Sequence, residues 1–457
     1  MNCFTARGFK LSIETPKNEA LSLFKHGERA YDHLLLFPPP SKAYGPSLTP
    51  TILLDFINKE GNIMLALSAN TPTPSAITSL LLELDIHLPS DRNALVVDHF
   101  HHDASSAADK HDVLLVPQPQ PLRPDVKNYF GGDGTLAVPR AVGQVLGNAS
   151  PLLAPILRAP STAYSYNPKD EADAVEELFA AGQQLALVSA MQARNSARFT
   201  VLGSVEMLRD EWFDATVLLG GQQSKTANRE FARAVTGWTF KELGVLKVRR
   251  LYHHLNENGG KAGNESAVGA SSLNPKIYRI KNDVVCLPPL FHRHSTIPTA
   301  TSGAPPANNT RNQTFTIELS EYAHDHLQPF LPPATDALQL EFSMLSPFHR
   351  LPLHPVSTTP NSTVFSTSFT LPDQHGIFNF RVNYKRPFLT GVDEKRQVTV
   401  RHFAHDEWPR SWRISGAWVW ICGIGVTVAG WCGFVAVWLW SEPVERRRRG
   451  VGGKKVQ

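Results

Sequence analysis

A run of 27 residues without a charged side chain extends from Ile414 to Trp440. About 20 apolar residues are enough to cross a bilayer core roughly 30 Å thick, so this run predicts a transmembrane helix. Six basic side chains follow it, at Arg446–Arg449, Lys454 and Lys455, and fewer precede it. Because cytoplasmic flanks carry an excess of Lys and Arg, we expect the tail 441–457 to be cytoplasmic and the N-terminal bulk to be lumenal, which is a single-pass type I topology.

The two lysines near the C-terminus also match a sorting signal. Lys454 and Lys455 occupy the fourth and third positions from the end of the chain. A lysine pair at these positions returns type I membrane proteins to the endoplasmic reticulum and is read in the cytosol, so the topology and the retrieval signal agree. The alternative is that both lysines only add to the positive charge that stops transfer through the membrane.

Small residues recur along one face of the predicted transmembrane helix. Gly425, Ala429 and Gly433 are spaced four residues apart, so they stack along the helix and allow a second backbone to approach closely. We therefore expect this face to pack against other transmembrane helices. The alternative is that glycine is simply frequent in membrane helices, since Gly423 and Gly430 lie off the stripe.

The composition of the remaining chain is that of a globular protein. Hydrophobic residues make up 42% of the 457 residues, which is enough for proper cores. The formal charge of +4 equals the six basic residues beyond the span less Glu442 and Glu445, so the rest of the chain is neutral and nothing indicates nucleic-acid binding. Cys422 and Cys432 lie within the span, which leaves two of the four cysteines and no disulfide framework.

Residues 1–250 alternate apolar strands with helices, as α/β domains do. The strands are continuous apolar runs, which is typical of parallel sheets buried on both faces. We therefore expect a lumenal α/β domain with a mainly parallel sheet. The predicted strands include Tyr31–Phe37, Ile63–Leu67, Ala94–Asp98, Leu185–Ala190 and Arg198–Ser204.

The pattern changes after residue 250. Residues 251–314 are rich in Gly, Asn, Ser and Pro and predict a linker or loop with a Pro-rich insertion. In residues 315–405, segments with alternating apolar residues are separated by turn residues. This alternation predicts a lumenal antiparallel domain resembling a β-sandwich, followed by the transmembrane helix at 414–440.

One polar cluster has side chains suited to chemistry. Asp98, His99, His101, His102 and Asp103 follow a predicted strand, at the end where open α/β sheets place ligands. These residue types could bind a divalent metal, but a histidine-rich loop can equally be solvated or bonded to its own backbone, and we assign it no metal. The sequence contains no nucleophile elbow, Walker loop, dinucleotide fingerprint or His-Glu-x-x-His motif. We predict no catalytic residue and no cofactor.

Several specific segments together resemble one protein family, the 48 kDa subunits of the endoplasmic reticulum oligosaccharyltransferase, called Wbp in yeast. The resemblance extends in order over nearly all of the chain and includes the single anchor with a lysine-bearing tail. The segments are Leu21–Glu28 with Tyr31–Leu34, Ser161–Tyr166, Met191–Arg198 running into Gly203 and Ser204, and Gly376–Tyr384.

The resemblance implies a non-catalytic structural subunit of the membrane complex that transfers a preassembled oligosaccharide from dolichyl diphosphate to Asn in Asn-x-Ser/Thr of nascent proteins. It implies that catalysis lies in a separate STT-type subunit. Further implied partners are ribophorin I and ribophorin II type subunits, a DAD-type small subunit, membrane lipid and a nearby translocon. The implied fold is a glutamine-amidotransferase-like α/β domain followed by β-rich lumenal domains.

Two departures from the family pattern accompany the resemblance. No apolar signal segment precedes Leu11, so we expect that the start is truncated and that a first sheet strand is missing. Residues 287–311 have no recognised family counterpart. The alternative function for a type I chain with this tail is a cargo or quality-control receptor of the endoplasmic reticulum.

Overall fold

The computed structural model of the chain describes residues 2–16, 18, 20–39, 44–91, 93–148, 150–167, 178–256, 273–280, 312–402, 404 and 418–441. These residues are mostly β-structure with a few helices, and they include one apolar helix near the C-terminus. The insertion at 287–311, most of the linker and the tail from residue 442 onward lie outside the described residues.

A seven-stranded sheet and several two-stranded sheets organise the N-terminal part. The helices are α1 (Asn2–Ala6), α2 (Pro50–Asn58), α3 (Ser75–Glu83), α4 (Asp210–Phe213) and α5 (Asn228–Thr239). The strands are β1 (Phe24–Lys25), β2 (Glu28–Arg29), β3 (His33–Leu36), β4 (Asn62–Ala66), β5 (Ile86–His87), β6 (Leu95–Val97), β7 (Val113–Pro117), β8 (Thr135–Pro139), β9 (Gln144–Leu146), β10 (Leu153–Arg158), β11 (Tyr164–Tyr166), β12 (Leu185–Gln192), β13 (Arg198–Leu202), β14 (Thr216–Leu219) and β15 (Gln222–Lys225).

The seven-stranded sheet is mixed, so the expectation of a mainly parallel sheet is corrected. β4 pairs parallel with β3 and β13, whereas β12 pairs antiparallel with β13, β9 and β10. Only five residues, 193–197, connect β12 to β13, and the Ala193 N–H donates to the Ala197 carbonyl at 2.8 Å. A parallel crossover needs a dozen or more residues, so this connection requires a hairpin. Continuous apolar runs indicate burial on both faces and carry no information about strand direction.

The strands of this sheet contain continuous apolar runs because side chains cover both faces of the sheet. In β4, Met64 and Ala66 pack into a core with Trp238 of α5. The alternate residues Ile63 and Leu65 pack into a second core that contains side chains of α2 and α3. Successive side chains of a strand point to opposite faces, so every position of β4 is apolar or buried.

Two five-stranded sheets form a β-sandwich in the second half of the chain. All of their pairings are antiparallel except that between β17 and β25. The Phe315 and Phe380 rings come from opposite sheets and stack with centroids 5.4 Å apart, so the two sheets share one core. The strands are β16 (Val245–Leu255), β17 (Ile277–Ile280), β18 (Asn312–Ala323), β19 (His326–Pro329), β20 (Gln339–Met344), β21 (Ser346–Pro352), β22 (His354–Thr359), β23 (Ser362–Thr370), β24 (Gly376–Arg386) and β25 (Leu389–His402).

Strand β16 gave no clear signal in the sequence. It pairs with β18 along most of its length, but the register shifts between Val248 and Arg250. This irregularity interrupts the alternation of apolar and polar residues that marks a half-buried strand. The division of the chain into domains at residues 250 and 314 remains a prediction.

The N-terminal part and the sandwich meet in a packed junction. The Trp238 indole N–H donates to the Phe388 carbonyl at 2.7 Å, and the Phe130 ring packs edge-on against both aromatic side chains. The buried Glu321 carboxylate of β18 accepts from the Tyr129 hydroxyl at 2.9 Å and from the Lys127 ammonium at 2.7 Å. Rings and hydrogen bonds therefore fix the two parts against each other.

Arg198 is fully buried beside this junction. Its guanidinium donates to the carbonyl oxygens of Leu243 and Gly244, each at 2.6 Å, and to that of Trp238. Its central carbon also lies 4.8 Å from the Trp238 ring. Burial lowers the pKa of Arg198 to about 9, which still leaves the side chain cationic at neutral pH.

A nearly buried carboxylate stabilises the sandwich in a pH-dependent manner. Asp336 accepts from Arg386 Nε at 2.8 Å and from the Tyr384 hydroxyl at 2.7 Å. Burial alone would raise the pKa of Asp336, but these hydrogen bonds hold it below its ordinary value. A carboxylate with a lowered folded-state pKa contributes stability above its unfolded pKa, and that contribution is lost as the pH falls through the folded value.

We expect Asp336→Asn to lower the free energy of unfolding at pH 7 by about 2 kcal/mol, because the Arg386 charge loses its partner. The difference from wild type should shrink as the pH falls from about 4, the ordinary range of a carboxyl group, through the lower folded-state pKa of Asp336. Denaturant titrations at several pH values measure this. The matched control is Asp393→Asn, which breaks the more exposed pair with Arg381. A difference that is absent at pH 7, or constant down to acid pH, would contradict the assignment.

Candidate functional site

The polar cluster after β6 is held together by its own hydrogen bonds. Asp98 is fully buried and accepts from the Phe100 N–H at 2.8 Å, the Thr162 hydroxyl at 2.7 Å and His101 Nδ1 at 3.1 Å. Burial alone would raise the pKa of Asp98, but these donors lower it. Asp98 is therefore a fixed anion that fastens the loop to the segment carrying Thr162.

The second carboxylate of the cluster has a similar role. Asp103 is buried and accepts from the Leu218 N–H at 2.8 Å and from the hydroxyls of Ser105 and Ser106. The Leu218 contact connects the cluster to β14, more than a hundred residues further along the chain. Burial would raise the pKa of Asp103, and the hydrogen bonds again lower it.

Two histidines of the cluster, His99 and His102, contact His111 further along the chain. The His99 and His111 rings meet through their Nδ1 atoms, and the His102 and His111 centroids lie 4.0 Å apart. His99 Nε2 lies 2.9 Å from the Tyr164 hydroxyl. Burial and the neighbouring His111 lower the pKa of His102, which favours its neutral form. Throughout the part of the chain that the structure describes, no three His, Cys, Asp or Glu side chains converge in a way that could hold a metal ion.

These contacts predict a structural role for the loop. We expect Asp98→Ala to lower the free energy of unfolding by about 2 kcal/mol, because three donors lose their acceptor. A chelator should leave the melting temperature of the wild-type chain unchanged. The exposed Asp109 provides the control, since Asp109→Ala removes a carboxylate from the same loop region. Destabilisation by the chelator, with metal found in the purified chain, would contradict this role.

The carboxyl ends of the parallel strands are occupied by another polar network, which the sequence did not indicate. The nearly buried Glu206 accepts from Arg140 Nε at 3.0 Å and from Asn70 Nδ2 at 2.8 Å. The hydrogen bonds to Glu206 raise the pKa of Arg140. Open α/β sheets often bind ligands at this edge, but here the chain's own side chains join the loops after β4, β8 and β13. No short motif marks these residues, which are separated by 66 positions or more.

The apolar helix α6 (Trp418–Trp440) has 23 residues and a mean hydropathy of 1.8, and none of its residues is buried. At 1.5 Å per residue it is about 35 Å long, enough to cross a bilayer core. Residues 414–417 of the predicted span lie outside the described residues. A Cβ atom added at Gly425 or Gly433 would meet no atom within 4 Å, so the face that also carries Ala429 is open.

Two predictions on this part of the chain remain untested. The packing of Gly425, Ala429 and Gly433 against another helix stays a prediction. Lys454 and Lys455 lie outside the described residues, so the retrieval signal also stays a prediction.

Comparison with known proteins gives matches over nearly the whole chain. The family model described as the OST48 N-terminal domain matches residues 1–242, and the model of the OST48 middle domain matches residues 304–442. The protein from Schizosaccharomyces pombe named dolichyl-diphosphooligosaccharide--protein glycosyltransferase subunit wbp1 is 30% identical over 446 residues, which are 97% of this chain and 89% of the relative.

Proteins from two other organisms are also similar to this chain. The Arabidopsis thaliana protein named dolichyl-diphosphooligosaccharide--protein glycosyltransferase 48 kDa subunit is 28% identical over 96% of this chain and 89% of the relative. The Caenorhabditis elegans protein of the same name is 29% identical over 90% of this chain and 81% of the relative. The similarity therefore includes both the N-terminal part and the sandwich.

Proposed function

This chain belongs to the OST48 family, and on that premise we infer that it is a structural subunit of the oligosaccharyltransferase complex. The complex acts in protein N-glycosylation, in which a preassembled oligosaccharide passes from dolichyl diphosphate to Asn in Asn-x-Ser/Thr of nascent proteins. The observation that carries this inference is that a protein named as a subunit of this glycosyltransferase aligns with 97% of the chain.

We propose that catalysis lies in a separate, STT-type subunit. The arrangement of the candidate sites supports this. Asp98, Asp103 and Glu206 are each saturated by donors from the chain itself, which leaves them as poor candidates for acid or base chemistry. The chain would then act as an accessory scaffold, with its two folded parts fixed by the junction at Trp238 and Phe388.

We propose that the open face of α6 is where partner helices pack. Gly425, Ala429 and Gly433 would let another backbone approach closely, and van der Waals packing would hold the helices together in lipid. The proposed partners are the STT-type subunit, ribophorin I and ribophorin II type subunits and a DAD-type small subunit, with the translocon nearby.

We propose that the chain is a type I protein of the endoplasmic reticulum membrane, with the sheet and sandwich in the lumen. The excess of basic residues after α6 supports this orientation. Lys454 and Lys455 would then be cytosolic and available to a retrieval receptor.

We also propose that the N-terminal sheet is related to glutamine-amidotransferase-like folds. The unit β3–α2–β4 is a strand, helix and parallel strand, and β13 continues the parallel pairing. The antiparallel strands β12, β9 and β10 would be the family's addition to that unit.

A mild-detergent purification of the tagged full chain tests the proposed function. We expect the other subunits of the complex to be recovered in stoichiometric amounts by mass spectrometry. Recovery of the chain without stable partners would contradict the proposal and would favour a receptor that cycles through transport vesicles. An unrelated tagged type I membrane protein of the endoplasmic reticulum serves as the control.

A further inference from the structure

Three large apolar side chains are exposed at one sandwich sheet. Ile277 of β17 is 46% exposed, Ile377 of β24 is 61% exposed, and Leu345, between β20 and β21, is fully exposed. Scattered exposed hydrophobic residues are common on protein surfaces, so their arrangement decides whether these three have a role.

The strand register places Ile277 and Ile377 in one row. Both residues pair with Thr399 of β25, from opposite sides. Directly paired residues point to the same face of a sheet, and their chain neighbours Tyr278 and Phe378 are buried on the opposite face. Ile277, Thr399 and Ile377 therefore form an outward row across three strands.

Leu345 extends this row to the next strand. The antiparallel pairing of β20 with β24 ends with Ser343 opposite Asn379, and Leu345 follows two residues later, in the turn between β20 and β21. Ile377 precedes Asn379 by two residues, so Leu345 and Ile377 lie beyond the same end of this pairing. The three side chains together span the sheet from β17 to the end of β20, a width of about 14 Å, because neighbouring strands are about 4.8 Å apart. We call Ile277, Ile377 and Leu345 the apolar stripe.

The backbone at Leu345 adds a second unusual feature. Its φ is +60°, in the left-handed region where turns usually place Gly, Asn or Asp. A leucine at this position combines a disfavoured backbone conformation with complete exposure to solvent. Strained backbone conformations are enriched at functional sites, which makes Leu345 a candidate for a contact through its exposed side chain.

The path of the chain indicates what covers the apolar stripe. Strand β25 ends at His402, three residues after Thr399, which pairs with both isoleucines of the stripe. The membrane helix α6 begins at Trp418. The connection can span at most about 55 Å even when fully extended, so this end of the sheet lies within that distance of the start of the membrane helix. Arg279 and Arg401 pair in the next outward row towards that end, so positive charge lies beside the apolar side chains.

We propose that the apolar stripe docks on the lipid surface of the membrane that α6 crosses. Leu345, Ile377 and Ile277 insert at the boundary between headgroups and acyl chains, and Arg279 and Arg401 lie at the level of the lipid phosphates. Exposed aliphatic side chains beside basic residues are what an interfacial contact requires. The proposal goes beyond the subunit role and depends only on membrane attachment through α6.

Site-specific fluorescence on the full chain tests this docking. Single cysteines at L345C and I377C, in a chain whose four native cysteines are replaced by alanine, are labelled with a nitrobenzoxadiazole probe. The purified chain is reconstituted into vesicles of phosphatidylcholine and phosphatidylinositol with or without a nitroxide on the acyl chain. We expect quenching at both positions, about threefold stronger than at L82C, with emission shifted to shorter wavelength. Leu82 is the matched control, since it is 52% exposed on α3.

The outcomes separate docking from attachment. Flotation of the vesicles first establishes that each labelled chain is membrane-bound, so a failure of α6 to insert is recognised independently. Quenching at 345 and 377 no stronger than at 82 would overturn the proposal. A probe that becomes shielded only in the assembled complex and resists the lipid quencher would also overturn it, because a protein partner would then cover the stripe.

Discussion

Replacing Arg198 by methionine is expected to lower the free energy of unfolding by about 3 kcal/mol. The guanidinium donates to three main-chain carbonyls, of Trp238, Leu243 and Gly244, in a fully buried position. Methionine has a similar length but no donor, so these carbonyls would lose their partner without gaining access to water. The contact with the Trp238 ring would be weakened as well.

Denaturant titration of the full chain in detergent measures the effect. Arg194→Met is the matched control, because Arg194 belongs to the same segment and is exposed, and we expect a change within about 0.5 kcal/mol. Arg198→Lys keeps the charge but cannot reproduce the fork of donors, so an intermediate loss is expected. Equal stability of the Arg198→Met and Arg194→Met chains would show that the carbonyl contacts contribute little.

The second large effect is expected in the membrane helix. Replacing Gly425, Ala429 and Gly433 together by leucine should reduce the partner subunits recovered with the chain about tenfold. The side chains would hold a neighbouring backbone away, and packing is the main force between helices in lipid. The chain itself should still insert, because leucine lowers the cost of crossing the bilayer.

A control on the same helix isolates the effect of the face. Gly423→Leu with Gly430→Leu adds comparable bulk off the stripe, where the structure also leaves open space. Quantitative mass spectrometry after mild-detergent purification compares the three chains at equal recovery of the tagged protein. Partner recovery that is unchanged in the triple variant, or equally reduced in the control, would rule out this face as the site of assembly.

The sequence predicted the features that depend on local composition. The apolar helix was visible because a span must be apolar over its whole length, and β4 was visible because both of its faces are buried. The relative direction of β12 and β13 is set by their five-residue connection, which is too short for a parallel crossover, whereas the apolar runs themselves are the same for either direction. β16 was missed because the bulge near Arg250 interrupts its alternation.

The candidate sites were predicted less completely, because their contacts join distant segments. The position of Asp98 at a strand end was expected, but its partner Thr162 lies 64 residues further along the chain. Arg198 belonged to a segment that carried the family resemblance, yet nothing in that segment indicated that this arginine is buried while Arg194 is exposed. The exposure of Leu345 depends on a turn conformation that leucine rarely adopts.

Glycan transfer to a peptide containing Asn-x-Thr, assayed with the purified chain alone and with the complex that it recovers, tests the central claim most directly. We expect transfer by the complex and none by the chain alone, because this chain acts as a structural subunit. Transfer by the isolated chain at the rate of the complex would contradict that role.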